Sequence, residues 1–384
     1  MKAFCFLLFF TFTVSVSGQD TVYARKIIDT LSSPAFNGRG YTNDGLFKAF
    51  KFLSKEFTDI GLKPMNGNSY LQSISFSINT FPGEMYVSIN GDSLRPGYEF
   101  IVGSDSRGLS GSFKLERIDS ANFINRENNL VIALVEKLTA SVSRKVGDST
   151  KVYILKSAIS NEPGEVKLAI ENRFDPDFKT GNICGLVKGT NKKKRDTLVV
   201  FTAHYDHLGG MGKNVFFPGA NDNASGISLL LGLARWYAKN PQEYSIGFIL
   251  FSGEEAGLVG SEYFVKKPLV PLKSIKFLVN LDLTGTGVEG ITVVNATKYV
   301  KQFELLKSIN ENNKYLVNIH SRGKAKNSDH YWFSEKGVPS FFIYTMGGIK
   351  AYHDVHDISA TLPNNEYSDL FLLLTKFVDS LNRK

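Results

Sequence analysis

Cysteine is nearly absent from this chain: there are two, Cys5 inside an apolar N-terminal run and Cys184 inside the apolar run 183–187. Neither can staple the mature chain internally, so no disulfide framework is available. Cys184 reads as a buried, inert core residue. The nucleophile elbow G-x-S-x-G does not occur, and Ser328-Asp329-His330 cannot form a triad because its members are sequence neighbours. Internal repeats and low-complexity tracts are also missing, which excludes solenoid and propeller architectures. After the N-terminal run no apolar stretch reaches spanning length, so no stable membrane insertion is expected. A net charge of +8 could suggest nucleic acid, but the densest basic run, Lys192-Lys193-Lys194-Arg195, has no interleaved aromatics. It sits between two strand-like runs and reads as a solvated hairpin tip.

What is present divides the 384 residues into three parts. Residues 1–18 carry a basic Lys2, an apolar stretch from Ala3 to Val16 and small residues up to Gly18, which is the pattern of a cleaved signal peptide. Export to the periplasm or to the medium is the corresponding expectation. Residues 19–80 open with helical apolar spacing over 24–31 and 45–57, stopped by Gly61 and Pro64, and then alternate over 70–78 as a strand does. From 181 to 384 strands and helices alternate, with continuous apolar runs at 197–203, 246–251, 275–281 and 338–344. Together these two stretches predict an α/β layer: a mostly parallel central sheet flanked by helices. Residues 81–180 contain no histidine, little helical periodicity and a hairpin signal at Asn90-Gly91, and they read as a smaller β-rich inserted module.

In open α/β sheets, sites gather beyond the carboxyl ends of the strands. His204 ends one strand, Glu254 and Glu255 follow a second, and Asp282 ends a third. Asp222 precedes a helix, and His353 lies in a long loop after a fourth strand. Imidazoles and carboxylates without thiolate suit Zn²⁺, with Co²⁺ or Mn²⁺ able to substitute. Two such ions about 3.5–4 Å apart repel, so a carboxylate must bridge them, while a free carboxylate carries the proton of an activated water. Of the adjacent Glu254 and Glu255, one is bound and the other free. Asp206, two residues after His204, is the expected support of that ring. His207 and His330 read as hydrogen-bonded support, His320 as structural, and His356 as a competitor of His353.

In local sequence and in order, these pieces resemble the M28 family of zinc metallopeptidases, of the di-zinc aminopeptidase type. The resemblance runs through Gly181-Asn182-Ile183-Cys184-Gly185, His204-Tyr205-Asp206-His207, Pro218-Gly219-Ala220-Asn221-Asp222-Asn223, Glu254-Glu255-Ala256-Gly257, Asn280-Leu281-Asp282, Ser328-Asp329-His330 and Tyr352-His353 before Asp357. It implies that two Zn²⁺ are bound, one by His204 and Asp282, the other by Glu255 and His353, with Asp222 bridging. It implies Glu254 as general acid/base, Tyr352 as a stabiliser of the tetrahedral intermediate, and a cis peptide after Asp222. A peptide substrate, cut at its N-terminal residue, and a protease-associated-like module at 81–180 follow from the same resemblance. The competing readings are a glutaminyl-peptide cyclase-like enzyme with one zinc, a carboxypeptidase of the same family, and a receptor-like relative without catalysis.

Overall fold

A computed structural model describes residues 20–65 and 67–381; the leader read at 1–18 lies outside the described residues. One nine-stranded sheet organises the chain. Its path is Lys63–Pro64, Arg173–Val187, Ser245–Phe251, Leu198–His204, Ile275–Leu281, Ser340–Thr345, Ile291–Val294 and Ile319–Arg322. The strand Leu71–Thr80 lies antiparallel along Arg173–Ile183. The four central strands, Ser245–Phe251, Leu198–His204, Ile275–Leu281 and Ser340–Thr345, are parallel, and the sheet turns antiparallel on either side of them. All four therefore end at the same edge.

The apolar runs are continuous because both faces of these strands are covered. Val199, Phe201, Phe277, Val279 and Leu281 face the helices Thr21–Leu31, Gly45–Ile60, Gly226–Lys239, Val300–Asn313 and Tyr367–Ser380. Their strand neighbours Val200 and Leu278, with Ile249 and Phe251, face Phe264 of Val259–Lys266 and Phe333 of His330–Glu335. Cys184 is fully buried on this second face. The sheet is mostly parallel with helices on both sides, as the alternation predicts.

Between Phe81 and the long strand Arg173–Val187 the chain forms two small sheets, of five and four strands. Asn90 and Gly91, at φ +51° and +97°, turn Met85–Ile89 back onto Asp92–Ser93, the backbone that an Asn-Gly pair adopts readily. These small sheets share a core in which Phe100, Phe123, Ile132 and Val152 are buried together with Leu208, Met211, Phe217 and Val355 from the other side of the chain. The strand Arg173–Val187 is unbroken apart from a bulge between Asp175 and Phe178, so it carries the β-rich region directly into the main sheet.

The structure corrects the hairpin reading of Lys192–Arg195. This turn joins Arg173–Val187 to Leu198–His204, and Ser245–Phe251 lies between those two strands in the sheet. The turn instead crosses the end of that intervening strand, with the N–H groups of Thr190 and Asn191 donating to the carbonyls of Gln242 and Glu243. Ile291–Val294 and Ile319–Arg322 are among the strands without a sequence signal; each is four residues long, too short to show a period. Among the described residues no helix is long and apolar enough to cross a membrane.

Phe277 sits at the centre of the larger core, 1% exposed, its ring centroid 4.9 Å from that of Phe341 and 5.5 Å from that of Phe377. Phe277→Ala is expected to lower stability by about 3–5 kcal/mol, read as a shift in the urea midpoint at constant slope.

Candidate metal centre

The parallel register brings the strand ends together. His204 pairs with Phe251, three residues before Glu254, and Asp282 follows directly on the adjacent strand Ile275–Leu281. Asp222 comes from the turn Ala220–Ser225 that opens the helix Gly226–Lys239, and its peptide bond to Asn223 is cis. His353 comes from the loop after Ser340–Thr345.

Two half-sites result, and Asp222 belongs to both. Its Oδ1 lies 3.3 Å from His204 Nε2, and its Oδ2 lies 3.1 Å from His353 Nε2. His204 Nε2 is also 3.3 Å from Asp282 Oδ1, while His353 Nε2 is also 3.2 Å from Glu255 Oε2. Each histidine uses its other ring nitrogen on a main-chain carbonyl: His204 Nδ1 is 3.1 Å from the Asp206 oxygen, and His353 Nδ1 is 3.0 Å from the Ala140 oxygen. A carbonyl can only accept, so Nδ1 carries a proton and Nε2 is the nitrogen left facing two carboxylate oxygens. Positive charge at that point, as a second ring proton or as a cation between the groups, satisfies all three, and imidazole with carboxylates is a donor set that holds divalent zinc.

The electrostatics call for positive charge at the same two points. Burial works against charge on His204, yet Asp282, Glu254 and Asp222 outweigh it and hold its proton affinity well above the usual imidazole range. Burial is likewise overridden at His353, where Glu255 and Asp222 push it up to about 11. The acids thus draw positive charge onto both imidazoles. Glu254 is different: burial first, then Asp329, Glu255 and Asp282, drive its carboxyl well above the usual range against the opposing His204.

Each outer carboxylate is tied by one oxygen. Ser328 Oγ donates to Asp282 Oδ2 at 3.0 Å, leaving Oδ1 to face His204. Ser328 is itself held by Asn280 Nδ2 at 2.8 Å, and Asn280 accepts from Thr202 at 2.6 Å. On the other side Glu255 Oε1 meets His207 Nδ1 at 2.7 Å, leaving Oε2 to face His353. His207 is fully buried and its Nε2 has no partner among the described residues, so its proton belongs on Nδ1, donated to Oε1. His207, Asp222 and Glu255 also lie close enough to form a metal-binding trio, as do His204, Asp222 and Asp282. The N–H toward Glu255 separates the role of His207 from that of His353. Asp222 is positioned through its main chain, because Asp357 accepts from the N–H groups of Asn221 and Asp222 at 2.8 and 3.0 Å.

Asp206 supports His204 with its main-chain carbonyl rather than its carboxylate, whose Oδ1 is 3.9 Å from the ring. That carboxylate accepts instead from the N–H groups of Glu254 and Glu255, both at 3.2 Å, and from Tyr41 at 2.6 Å. It therefore sets the turn that presents both glutamates. Tyr352 is 43% exposed at the rim, its ring stacked on His353 at 4.0 Å. The other histidines stay outside: His356 is exposed, edge-on to Tyr98; His320 reaches the Glu289 carbonyl; and His330 is buried, its ring pushed down to about 3 by burial.

Arg39 has no counterpart in the sequence reading. It is completely buried and donates to the carbonyls of Leu31, Tyr205, Pro218, Gly219 and Asp222. Burial pulls its guanidinium down to about 10, while Asp222, Asp357, Asp206 and Glu255 resist that shift. A single arginine in a glycine-flanked turn has no spacing that would have marked it.

The sequence pattern of peptidase family M28 matches residues 182–378. The chain is 36% identical over 198 residues to Aminopeptidase YwaD of Bacillus subtilis, covering 50% of this chain and 42% of that protein. It is 26% identical over 202 residues to a probable leucine aminopeptidase of Arthroderma otae, covering 49% and 53%. The match thus spans about half the length of these curated relatives. Among solved structures, a peptidase M28 precursor from Shewanella amazonensis superposes with a TM-score of 0.69 at 15% identity, over 95% of this chain and 94% of that one. A zinc aminopeptidase from Bacillus subtilis gives 0.68 at 22% identity, over 94% and 95%. At such identities the likeness is one of fold.

Replacing Arg39 by Met leaves five carbonyls without their donor beside buried acids. It is expected to lower stability by about 3–5 kcal/mol in chemical denaturation.

Proposed function

The chain belongs to peptidase family M28, and from that premise we propose that it is a di-zinc aminopeptidase, which removes N-terminal residues from peptides. The carrying observation is the pair of half-sites sharing Asp222, each with an imidazole Nε2 turned toward two carboxylates. His204 and Asp282 would hold one ion, Glu255 and His353 the other, and Asp222 both. When bound, the ions supply Lewis acidity and bring a water toward neutral pKa.

The rest is the work of side chains. Glu254 has no metal role in this reading and stands beside the first half-site with its carboxyl raised above its ordinary range, as a proton carrier at neutral pH needs. It takes the proton of the attacking water as that oxygen bonds to the peptide carbonyl carbon. It returns the proton to the amide nitrogen as the C–N bond breaks, so the products are a free amino acid and a shortened peptide with a new amine. Asp206 keeps Glu254 and Glu255 apart in role by gripping the N–H of each. Tyr352, at the rim, is assigned to the carbonyl oxygen of the substrate. Arg39 cannot bind a terminal carboxylate, since its donors go to main-chain carbonyls beneath the site.

Peptides with free and with blocked termini, read by mass, test the reading. Stepwise loss from a free amine end is expected, abolished by a chelator and restored by zinc or cobalt. Loss from the carboxyl end would make the protein a carboxypeptidase, and loss of ammonia from N-terminal glutamine would make it a cyclase. Glu254→Gln is expected to lower kcat by roughly a hundred- to ten-thousand-fold with metal content unchanged; near-native turnover would remove Glu254 from the mechanism.

A further inference from the structure

The loop that carries His353 is gripped by the β-rich region. The Ala140 N–H donates to the His353 carbonyl at 2.8 Å, and the Ala140 carbonyl is the 3.0 Å partner of His353 Nδ1. One residue of that region therefore holds both the main chain and the ring of His353. Three residues earlier, Lys137 Nζ donates to the Lys350 carbonyl at 2.9 Å and pairs with Asp354 Oδ2 at 3.4 Å. Asp354 in turn accepts from the N–H groups of Tyr352 and His356, on either side of His353. Val355 is buried in the core of the β-rich region, and the His356 ring lies against Tyr98. His353 itself has φ +52°, a left-handed backbone that a non-glycine residue keeps only where its surroundings impose it.

The other half-site has no such dependence. His204 and Asp282 lie on or directly after strands of the main sheet, and their partners Asp206 and Ser328 come from outside residues 81–180.

We propose that the segment 137–140 is a positioning element for the second half-site, so that the β-rich region sets the affinity of the ion held by Glu255 and His353 without touching that ion. The inference rests on the two-ion reading above. It gives the β-rich region a task at the metal centre, since loosening its grip releases His353 while His204 and Asp282 keep their places. The two ions are therefore bound unequally and can be separated by a change at a residue that is not itself a ligand.

The test is titration of the full-length apoprotein with zinc alone against a competing chelator dye. The variants are Lys137→Ala, which removes the contacts to Lys350 and Asp354, and Ala140→Pro, which removes the N–H given to His353. Lys151→Ala is the control: it breaks a pair with Asp105, at 3.1 Å, in the same region. The expected result is two equivalents in the wild type and the control. In each folded variant one equivalent is weakened roughly 10–100-fold, as is usual when an outer partner of a ligand is lost, and the other is unchanged. Lys137→Ala changes one side chain at the surface, so it keeps the test decisive if Ala140→Pro fails to fold. Two unaltered equivalents in Lys137→Ala, or an equal weakening of both, overturn the inference alone. Fewer than two equivalents in the wild type overturn the two-ion reading and this inference with it.

Discussion

Carboxylates crowd one edge of the central sheet: Asp206, Asp222, Glu254, Glu255, Asp282, Asp329 and Asp357 are all buried or half-buried there. Like charges withdrawn from water repel strongly, and each one raises the proton affinity of its neighbours. The permanent positive charge beneath them is Arg39, which lies under Asp222 and is bound to its carbonyl. The rest of the balance falls on the imidazoles and on whatever cations lie between them. The arrangement of strands, turns and loops around this edge can be understood as the means of holding so many acids together without letting them collapse or protonate indiscriminately.

The solution is asymmetric for each acid. Asp282 and Glu255 each give one oxygen to a hydrogen-bond donor, Ser328 or His207, and turn the other inward. Asp222 keeps both oxygens free because its position is set through the main chain, by Asp357. Asp206 is occupied by N–H groups and a phenol and has no part in metal binding. Glu254, by contrast, has its carboxyl group raised rather than bound. A common chemical group thus fills four roles, and the partner of each oxygen decides which role it has. This division is what the proposed two-ion centre with one free proton carrier would require.

The two sides of the centre rest on different parts of the fold. The His204 side is built on parallel strands whose faces are covered by helices. The His353 side is a loop docked on a separate small core that also includes Leu208, Met211 and Phe217. The stretch after His204 also packs on that core, but from Leu208 onward, beyond the ligand, whereas Ala140 bonds to His353 itself.

Much of this was legible in the linear order of residues. Continuous apolar runs ending in His204, near Glu254 and at Asp282 locate both the buried strands and the edge where ligands gather, because strand burial and chain direction leave a local mark. The same is true of the Asn90-Gly91 turn. Partnerships across long stretches of chain leave no such mark. Nothing near Arg39 foretells its contact with Tyr205, and nothing near Ala140 foretells His353, 213 residues away. Asp206 follows His204 by two residues, but whether its carbonyl or its carboxylate meets the ring depends on the turn of Glu254 arriving to take the carboxylate. Residue types and their spacing along the chain thus determined which chemistry was possible and which strands would carry it. Which oxygen faces a cation, which histidine donates a proton, and what holds the last ligand loop were decided by folding alone, because each depends on groups that meet only when distant segments pack.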